Sequence, residues 1–541
     1  MNFSLKDFLF IKLLLFYLVM AITMVCADPG ISNWIDSLAY DLKEGDPIAP
    51  RIIVLLATSA FVCLPLMVST LWLRLPLFLL FVISLTIGIS FRLINGQFSV
   101  WEATLFLNEF GFAGDAINEF LPEIAKALAF SLVAACLLWL TRPELRLAAP
   151  VQILLFAPLM LPVMYLHIAK GGYWITHFAM PLKVPSSLYF AAQYAVYQGD
   201  RDDARIIAVS PVDYNIILIV DESIRGDWLS INNPYSATTP YLERLVSDPH
   251  WSNFGVVSSM SNCSASANLL LRSGVPESAL PEASERLFKD ANLFQYASAA
   301  GFETHYFDGQ VKGKRLNNYF TRSEIADIDQ YKAFRNVYQL ADEEIDQHMA
   351  VDTVKAVGLA QSPLFIYINK VGTHFPYELT YPQVQQNEDD DKPDHYRKAL
   401  SWSVDHFMQV LVEGLQSLNE PSLIFYTSDH GQGLGEMNIR STHCLPKQVP
   451  DVQARVPLLV GAINMVLDEN WQSSGGEYSQ FQLFPSVIKS MGLTIDMPDM
   501  AQDLSTPWEG KRLFLSGDIT GRGQLSRNPF KYRPEGEMAR K

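Results

Sequence analysis

The sequence predicts a membrane domain of five α-helices followed by an α/β soluble domain with a mostly parallel central sheet. Two observations support this fold class. Of the 541 residues, 49% are hydrophobic and 18% are charged, and these averages combine a very apolar first third with an ordinary polar remainder. After residue 213, short β-rich apolar runs alternate with helix-length amphipathic stretches, which is typical of a parallel sheet that is covered by helices on both faces.

Net charge and cysteine content limit the possible functions. The 57 acidic and 41 basic residues give a net charge of −16, so the chain has no general attraction for nucleic acid. Any phosphate that it handles must be bound locally, by a metal ion or by a few cations. The five cysteines are too few for a disulfide-stapled scaffold.

Five apolar segments within residues 1–168 are predicted to span a membrane, because each is close to the roughly 17–25 apolar residues that a spanning helix needs. They are Phe8–Cys26, Ile52–Leu73, Leu75–Phe91, Phe120–Leu140 and Leu147–Leu166. The first segment has an alternative interpretation as a cleaved secretory signal, since Lys6 and Lys12 precede its apolar run.

The loops on one side carry basic residues, which favour the cytoplasm: Lys6, Arg74, Arg142 and Arg146. The chain after the fifth segment is therefore expected outside the cytoplasm.

Residues 169–212 are predicted to connect the two domains. The aromatic run Ser187–Tyr197 is predicted as a bridging helix at the membrane interface, where aromatic rings are favoured; a linker helix packed on the soluble domain is the alternative. The soluble domain is assigned to residues 213–520. Residues 521–541 are basic and rich in Pro and Gly, and they are predicted as a flexible tail that can touch anionic lipid.

Six apolar runs of the soluble domain are predicted as strands. They are Ile216–Val220, Thr304–Phe307, Leu364–Ile368, Leu423–Tyr426, Val456–Val460 and Leu513–Leu515. In open α/β sheets the ligand binds beyond the carboxyl ends of the strands. The residues that follow each strand are therefore the first candidates for a site.

Acidic and imidazole side chains follow three of these strands. Asp221 and Glu222 follow the first, His374 the third, and Asp429 and His430 the fourth, with His443 further along the same loop. Carboxylate oxygens and imidazole nitrogens together are typical ligands of Zn²⁺. Each residue alone could instead cap a helix or make an ordinary hydrogen bond, but Glu222, Asp429 and His430 together favour a metal site.

A nucleophile is expected in the hydroxyl-rich segment Ser258–Asn268. This segment precedes the apolar run Leu269–Leu271, so it is predicted to begin a helix, where free backbone N–H groups favour a phosphoryl oxygen. A flexible serine loop with a capping role is the alternative.

At these motifs the sequence resembles the phosphoethanolamine transferases of Gram-negative bacteria. This branch of the alkaline phosphatase/sulfatase superfamily includes the lipid A-modifying and mobile colistin-resistance enzymes. The motifs are Val220–Ser223 with Thr238–Pro240, Ser428–Glu436, and Gly372–Pro376, and the resemblance covers nearly the whole chain. It implies an alkaline-phosphatase-like, sulfatase-like periplasmic domain on an inner-membrane anchor, acting as a monomer.

Carried over residue by residue, the resemblance makes Glu222, Asp429 and His430 ligands of a catalytic zinc. Ser264 occupies the position of the family's nucleophilic threonine and faces the same zinc, and Ser266 is its rival. His374 and His443 correspond to histidines that bind the transferred phosphate or a second zinc. Lys312 and Arg455 are assigned to the substrate.

The departures from the family pattern leave two further alternatives open. Asp221 stands where the family has glycine, and it could add a metal oxygen or hydrogen-bond the loop. The cysteine pairs that usually staple this domain are absent. Only Cys263 and Cys444 lie outside the membrane segments, each beside a predicted site residue, and a disulfide between them is conceivable.

The resemblance implies a two-step transfer of phosphoethanolamine from phosphatidylethanolamine, first to Ser264 and then to lipid A, to the lipopolysaccharide core or to a periplasmic glucan. Zn²⁺ would lower the pKa of the serine hydroxyl. A phosphoglycerol transferase with phosphatidylglycerol as donor is the nearest alternative, and an inactive sensor or scaffold with the same fold is the other. A sulfatase activity is not expected, because no Cys/Ser-x-Pro-x-Arg sequence begins at Cys263.

Overall fold

The structure of the chain is a computed structural model. It describes residues 5–27, 71–94, 98, 100–108, 113–141, 151, 154, 180–194, 200–311, 316–338, 340–436, 442–446, 449–497, 499–520 and 525–532. The chain divides into two compact units, Met1–Val196 and Tyr197–Lys541. The predicted spans Ile52–Leu73 and Leu147–Leu166 lie almost entirely outside the described residues.

The described part of the first unit is helical. Its helices are α1 (Leu5–Ala27), α2 (Leu71–Ile94), α3 (Val100–Asn108), α4 (Ala113–Glu119), α5 (Leu121–Thr141) and α6 (Met180–Tyr194). Among the described residues two segments are long and apolar enough to cross a membrane, Arg74–Ile94 and Leu121–Thr141. A shorter apolar stretch, Leu14–Thr23, lies within α1. These three positions correspond to the third, fourth and first predicted spans.

Helix α2 is apolar on its exposed side as well as on its buried side. Leu75, Leu79 and Ile83 recur every four residues and are each more than half exposed. Phe81 and Leu85 are buried against α5 and its neighbours. A helix that is apolar all round is suited to lipid rather than to water.

Helix α6 contains the first part of the run predicted as a bridging helix, but it begins earlier, at Met180. Within the first unit it packs against α2 and α3. A Cβ atom on Gly88 of α2 would lie 2.9 Å from Met180 Cε, so the absence of a side chain at Gly88 permits this contact.

The second unit is built on a seven-stranded sheet. The strands of this unit are β1 (Ile206–Val209), β2 (Asn215–Asp221), β3 (Trp251–Ser258), β4 (Glu303–Asp308), β5 (Gln330–Ala333), β6 (Leu364–Asn369), β7 (Ser422–Ser428), β8 (Arg455–Ile463), β9 (Leu493–Ile495), β10 (Leu513–Gly517) and β11 (Leu525–Pro529). The order in the large sheet is β3-β8-β7-β2-β6-β4-β5. Only β8 of this sheet runs opposite to the other strands, so the predicted mostly parallel sheet is confirmed.

Helices cover both faces of this sheet. They are α7 (Pro240–Leu245), α8 (Ser264–Ser273), α9 (Arg286–Lys289), α10 (Leu293–Ala299), α11 (Arg322–Ala326), α12 (Phe334–Tyr338), α13 (Asp342–Leu359), α14 (Lys392–Leu400), α15 (Phe407–Gln416) and α16 (Leu483–Ser490). Ile216 and Leu218 of β2 face the core formed with α8, α10 and α16. Ile217 and Ile219 face the core formed with α13 and α15. Since alternate side chains enter opposite cores, β2 is apolar at almost every position.

Two small antiparallel pairs differ from the predicted organisation. The predicted strand Leu513–Leu515 pairs with β11 and lies outside the central sheet. Strand β11 lies within the segment assigned to the tail, and β1, which pairs with β9, lies within the segment assigned to the linker. A short apolar run predicts a strand without specifying its partner, which is why these assignments differ.

Replacement of Gly274 by alanine is expected to destabilise the second unit. Gly274 ends α8 with a φ of 67°, and its Cβ would lie 2.4 Å from the Phe484 ring. We expect a loss of about 1–2 kcal/mol from the left-handed backbone and about 1–3 kcal/mol more from the clash. Denaturant unfolding of the full chain measures this. Gly301, with a φ of 92° and open space at its Cβ, is the control, and equal losses in Gly274→Ala and Gly301→Ala would contradict the prediction.

Candidate active site

The predicted metal ligands meet at one edge of the central sheet. Glu222 directly follows β2, and Asp429 and His430 directly follow the adjacent parallel strand β7. One ligand atom from each of these residues lies within 4.8 Å of the other two. All three side chains are buried, because the carboxyl ends of parallel strands converge beneath the covering loops.

Hydrogen bonds between the two strand ends fix the carboxylates. The Asp429 N–H donates to the Asp221 carbonyl at 2.9 Å, and the Ser223 N–H donates to Asp429 Oδ1 at 3.0 Å. The Ser223 hydroxyl donates to Glu222 Oε1 at 2.7 Å. Ser223 has a φ of 64°, a backbone conformation that non-glycine residues rarely adopt and that concentrates at functional sites.

The imidazole of His430 is oriented toward both carboxylates. Its Nδ1 lies 2.7 Å from the Gly431 carbonyl, so in the neutral ring Nδ1 carries the proton and Nε2 has a free lone pair. Nε2 lies 3.4 Å from Glu222 Oε1 and 3.5 Å from Asp429 Oδ2.

Ser264 places its hydroxyl between Glu222 and His430. Its Oγ lies 3.0 Å from Glu222 Oε2 and 3.0 Å from His430 Nε2, and it is the first residue of α8. The Oγ of the rival Ser266 is buried and has no hydrogen-bond partner among the described residues. The two serines therefore differ in that only Ser264 contacts predicted metal ligands.

The electrostatics of the three ligands favour a positive charge between the carboxylates. Burial raises the pKa of Asp429, and the nearby charge of Glu222 raises it further. Burial alone would also raise the pKa of Glu222, but its hydrogen bond and charge interaction with His430 hold that pKa well below the usual range. Burial lowers the pKa of His430, but the charges of Asp429 and Glu222 raise it more strongly, so the pKa rises to about 9. Two buried carboxylates in contact need a cation, whether imidazolium or metal.

The residues present fit a divalent metal ion. Asp429 Oδ2 is buried without a hydrogen-bond partner among the described residues, although it faces Glu222 and His430. Two carboxylates, one imidazole nitrogen and a serine oxygen amount to the four ligands that a tetrahedral Zn²⁺ requires. The donor set therefore matches the ion predicted from the sequence.

The two other predicted histidines lie around this group. The His443 ring stacks on the His430 ring with centroids 4.4 Å apart. Burial and the charge of His430 lower the pKa of His443 to about 3, so its imidazole is neutral. Burial also lowers the pKa of His374, against the attraction of Glu222. His374 is thus near enough to Glu222 for their charges to interact.

The predicted substrate cations are placed differently. Arg455 Nη1 donates to Asp227 Oδ2 at 2.8 Å, and its Nη2 bonds both carboxylate oxygens of Asp451 at 3.1 Å. Its guanidinium is therefore engaged by two carboxylates rather than by the metal ligands. Lys312 lies outside the described residues.

Asp221 is engaged behind the site. Its Oδ1 accepts the Glu222 N–H at 3.0 Å. Its Oδ2 accepts from Lys370 Nζ at 2.6 Å and from the Tyr426 hydroxyl at 2.9 Å. Burial raises the pKa of Asp221 to about 6, against the charge of Lys370. Asp221 thus hydrogen-bonds the loop that carries Glu222.

The buried Lys370 links several elements at the rear of the site. Its Nζ also lies 3.6 Å from Asp346 Oδ2, and it donates to the Ser403 carbonyl. Ser403 lies in a π-helical turn, Ser401–His406, between α14 and α15. A π turn shifts the helical hydrogen bonds, and a carbonyl of this turn accepts a hydrogen bond from the ammonium group. Asp346 in turn accepts the N–H groups of Val371 and Gly372 at 2.9 and 3.0 Å, on the way to His374.

Gln310 is a site residue that the sequence interpretation missed. It follows β4 and is buried, and its Nε2 donates to Glu222 Oε2 at 3.0 Å and to the Lys370 carbonyl at 2.9 Å. An outer hydrogen bond of this kind orients a metal ligand. Gln310 lies two residues after the end of β4, so the rule that site residues follow the strands could have predicted it.

The disulfide left open by the sequence is present. Cys263 and Cys444 are bonded across 181 residues. Cys263 directly precedes Ser264, and Cys444 directly follows His443. The bond therefore joins the start of α8 to the loop that carries His443.

The fold and the residues at its sheet edge define an α/β domain with a potential metal site beside a serine hydroxyl. The family model described as sulfatase matches residues 214–493, which is just over half of the chain. The chain belongs to the sulfatase family.

A curated relative supports a closer resemblance. Phosphoethanolamine transferase EptA of Helicobacter pylori is 24% identical over 260 residues, which cover 46% of this chain and 47% of the relative. The match thus spans about half the length of that relative. The resemblance to phosphoethanolamine transferases predicted from the motifs is confirmed.

Solved structures share the fold. The integral membrane lipooligosaccharide phosphoethanolamine transferase A (EptA) of Neisseria meningitidis has a TM-score of 0.59 at 16% identity, covering 82% of this chain and 88% of its own. The periplasmic domain of EcEptC from Escherichia coli, in complex with Zn, has a TM-score of 0.52 at 16% identity, covering 62% and 99%. The predicted alkaline-phosphatase-like fold is confirmed.

Loss of Asp429 is expected to weaken metal binding strongly. Asp429→Asn removes a charged ligand, and we expect an affinity for zinc reduced by more than about 100-fold, since even outer partners change affinity about 10–100-fold. Competition with a chromophoric chelator on the purified full chain measures this. Ser266→Ala is the control with unchanged affinity. Wild-type affinity in Asp429→Asn would refute the metal site.

Removal of the buried Lys370 charge is expected to destabilise the fold. Lys370→Met leaves Asp221 and Asp346 buried without their cation, which we expect to cost about 3–5 kcal/mol of unfolding free energy. Lys332→Met is the matched control, because Lys332 pairs with Asp352 near the surface and such pairs contribute about 0–1 kcal/mol. Denaturant unfolding compares the two variants. Similar losses would be inconsistent with the role of Lys370.

Proposed function

We propose that the protein is a zinc-dependent transferase. It moves phosphoethanolamine from phosphatidylethanolamine to a glycolipid or glycan of the cell envelope, through a covalent intermediate on Ser264. One observation carries the proposal: Ser264 Oγ, at the N-terminus of α8, lies 3.0 Å from both Glu222 Oε2 and His430 Nε2. The name of the Helicobacter pylori relative supports phosphoethanolamine as the transferred group.

One metal ion completes this site. Glu222, Asp429 and His430 would hold a catalytic zinc beside the Ser264 oxygen; a second zinc is the alternative role of the other two histidines. Bound zinc would supply positive charge that lowers the pKa of the hydroxyl and neutralises charge on the phosphoryl oxygens.

Ser264 acts twice in the reaction. In the first step its oxygen attacks the phosphorus of the donor lipid, the bond from phosphorus to the diacylglycerol oxygen breaks, and the serine proton ends on the released diacylglycerol. In the second step the oxygen of a hydroxyl or of a monoprotonated phosphate of the acceptor attacks the same phosphorus, the bond from phosphorus to Ser264 Oγ breaks, and the proton of the acceptor group ends on Ser264. Both steps leave negative charge on the phosphoryl group, which the first N–H groups of α8 stabilise.

His374 and His443 are assigned to the phosphoryl group. The neutral ring of His443 can donate one N–H to a phosphoryl oxygen while it stays stacked on His430. Lys312 and Arg455 are assigned to the substrate. Arg455 can serve this role when its guanidinium exchanges Asp227 or Asp451 for a phosphate oxygen.

Five membrane spans fit a lipid donor. A donor with two acyl chains stays in the bilayer, so an enzyme that uses it has to work at the membrane surface. The exposed apolar side of α2 and the two spanning-length helices support an inner-membrane anchor, and the basic loops orient the catalytic domain toward the periplasm. We infer that the first unit contributes five spans, including Ile52–Leu73 and Leu147–Leu166.

The acceptor is proposed to be lipid A or the lipopolysaccharide core, with periplasmic glucan as the remaining choice. An inactive scaffold is disfavoured, because a scaffold has no need of two buried carboxylates aimed at a serine oxygen and an imidazole. Burying such charges is costly, and a metal-dependent reaction explains that cost.

Serine 264 is expected to carry the covalent intermediate. Incubation of the full chain with zinc and phosphatidylethanolamine should give a peptide that is heavier by phosphoethanolamine at Ser264. Ser264→Ala should abolish this adduct and lower transfer at least about 10³-fold, because the nucleophile is lost. Peptide mass spectrometry with lipid A and glycan profiling measures both.

The matched control is Ser266→Ala, which should keep the adduct and the transfer. An adduct with the mass of phosphoglycerol, formed only from phosphatidylglycerol, would overturn the choice of donor. Unchanged lipid A, core and glucan profiles together with no adduct would overturn the transferase assignment.

A further inference from the structure

The Cys263–Cys444 disulfide lies inside the catalytic arrangement rather than at the periphery of the domain. Cys263 is the residue before the nucleophile, and Cys444 is the residue after the histidine that stacks on His430. Cys263 is buried. Among the described residues this is the bond that joins these two segments covalently.

The residue type at position 263 indicates a role beyond helix capping. Cys263 is the N-cap of α8, yet its side chain makes no capping hydrogen bond. Ser, Thr, Asp and Asn are the residues favoured there, because their oxygens accept backbone N–H groups. A cysteine at this position gains its value from the bond to Cys444.

The backbone at position 444 is held in an unfavourable conformation. Cys444 has a φ of 60°, which a residue with a side chain keeps only when its surroundings impose it. Its N–H donates to the Asn262 carbonyl at 2.8 Å, and Asn262 Nδ2 donates to the Leu445 carbonyl at 2.9 Å. The disulfide and these two hydrogen bonds all tie residues 442–446 to the segment before Ser264.

We propose that the Cys263–Cys444 disulfide is a positioning element of the active site: it fixes the His443 ring against His430 beside the Ser264 oxygen, and its reduction lowers the transfer rate. The catalytic consequence rests on the proposed function. Three of the four proposed ligands, Glu222, Asp429 and His430, are held by strands β2 and β7, so we expect metal binding to depend little on the disulfide.

Reduction of this bond consumes two electrons and two protons. A dithiol such as dithiothreitol attacks one sulfur, the Cys263–Cys444 bond breaks, and the reagent closes to its cyclic disulfide while both cysteines become thiols. The segment 442–446 then keeps its hydrogen bonds to Asn262 and the stacking of His443 on His430, but it loses its covalent link to Cys263. Cys444 is free to leave its left-handed conformation, which moves the adjacent His443.

The first experiment compares the full chain with Cys263→Ser/Cys444→Ser. Serine preserves the N-cap, so helix α8 is not weakened. We expect kcat to fall about 10–100-fold, the range seen when supporting groups of a site are lost, with zinc affinity within about 3-fold of wild type. Dithiothreitol should lower the wild-type rate to the same level. Cys136→Ser, which removes the free cysteine of α5, is the control and should match wild type with and without reductant.

A double-mutant cycle with His443→Ala separates positioning from general stabilisation. If the disulfide acts through His443, the triple variant Cys263→Ser/His443→Ala/Cys444→Ser should be no slower than His443→Ala alone by more than about 2-fold. Multiplying losses would mean that the disulfide acts independently of His443, and would overturn the proposal. An unchanged kcat in Cys263→Ser/Cys444→Ser would also overturn it.

A readout without substrate distinguishes this proposal from the proposed function. Hydrogen exchange of peptides covering residues 442–446 should speed up in Cys263→Ser/Cys444→Ser, because the Cys444 N–H loses its fixed acceptor geometry. Faster exchange in the variant, with no transfer even by oxidised wild type, would count against the transferase and not against the positioning. Unchanged exchange would refute the positioning itself.

Discussion

The character of the candidate site depends on two carboxylates, Glu222 and Asp429, that are buried side by side at the ends of adjacent parallel strands. Like charges in contact cannot both stay ionised in an apolar interior without a cation between them. The fold offers His430 Nε2 at 3.4 and 3.5 Å from these groups and leaves Asp429 Oδ2 without a hydrogen-bond partner among the described residues. This uncompensated negative charge is what makes the sheet edge suited to a metal ion.

Behind the same strand ends, two other buried carboxylates are neutralised by a lysine of the chain itself. Lys370 compensates Asp221 and Asp346, and a π-helical turn supplies a carbonyl to its ammonium group. The rear cluster thus holds the Glu222 loop and the loop to His374 without using an exchangeable ion. The cluster of Glu222, Asp429 and His430 instead has a serine hydroxyl beside it and, among the described residues, no lysine paired with it. The Lys370 cluster therefore supports the structure, whereas the Glu222, Asp429 and His430 cluster is the candidate site.

Much of this arrangement follows from strand ends that can be found in the sequence. Ile216–Val220 and Leu423–Tyr426 are apolar at every position, so they indicate buried parallel strands, and the residues after them are Glu222, Asp429 and His430. Gln310 was not predicted, because a glutamine amide does not by itself indicate a metal site. The sequence left the role of Asp221 open and did not predict the carboxylate partners of Arg455, since it does not reveal that Lys370 and Asp227 lie within hydrogen-bonding distance of these two residues.

The sequence by itself predicted the fold class, the candidate metal ligands and the hydroxyl-rich segment that contains Ser264, because periodicity and the residues after each strand are local properties of the chain. The tertiary structure decided which serine contacts Glu222 and which strands belong to which sheet. It also brought together Cys263 and Cys444, which are 181 residues apart in the sequence. These choices depend on distances between segments far apart in sequence. Only the packing of helices on the sheet sets such distances.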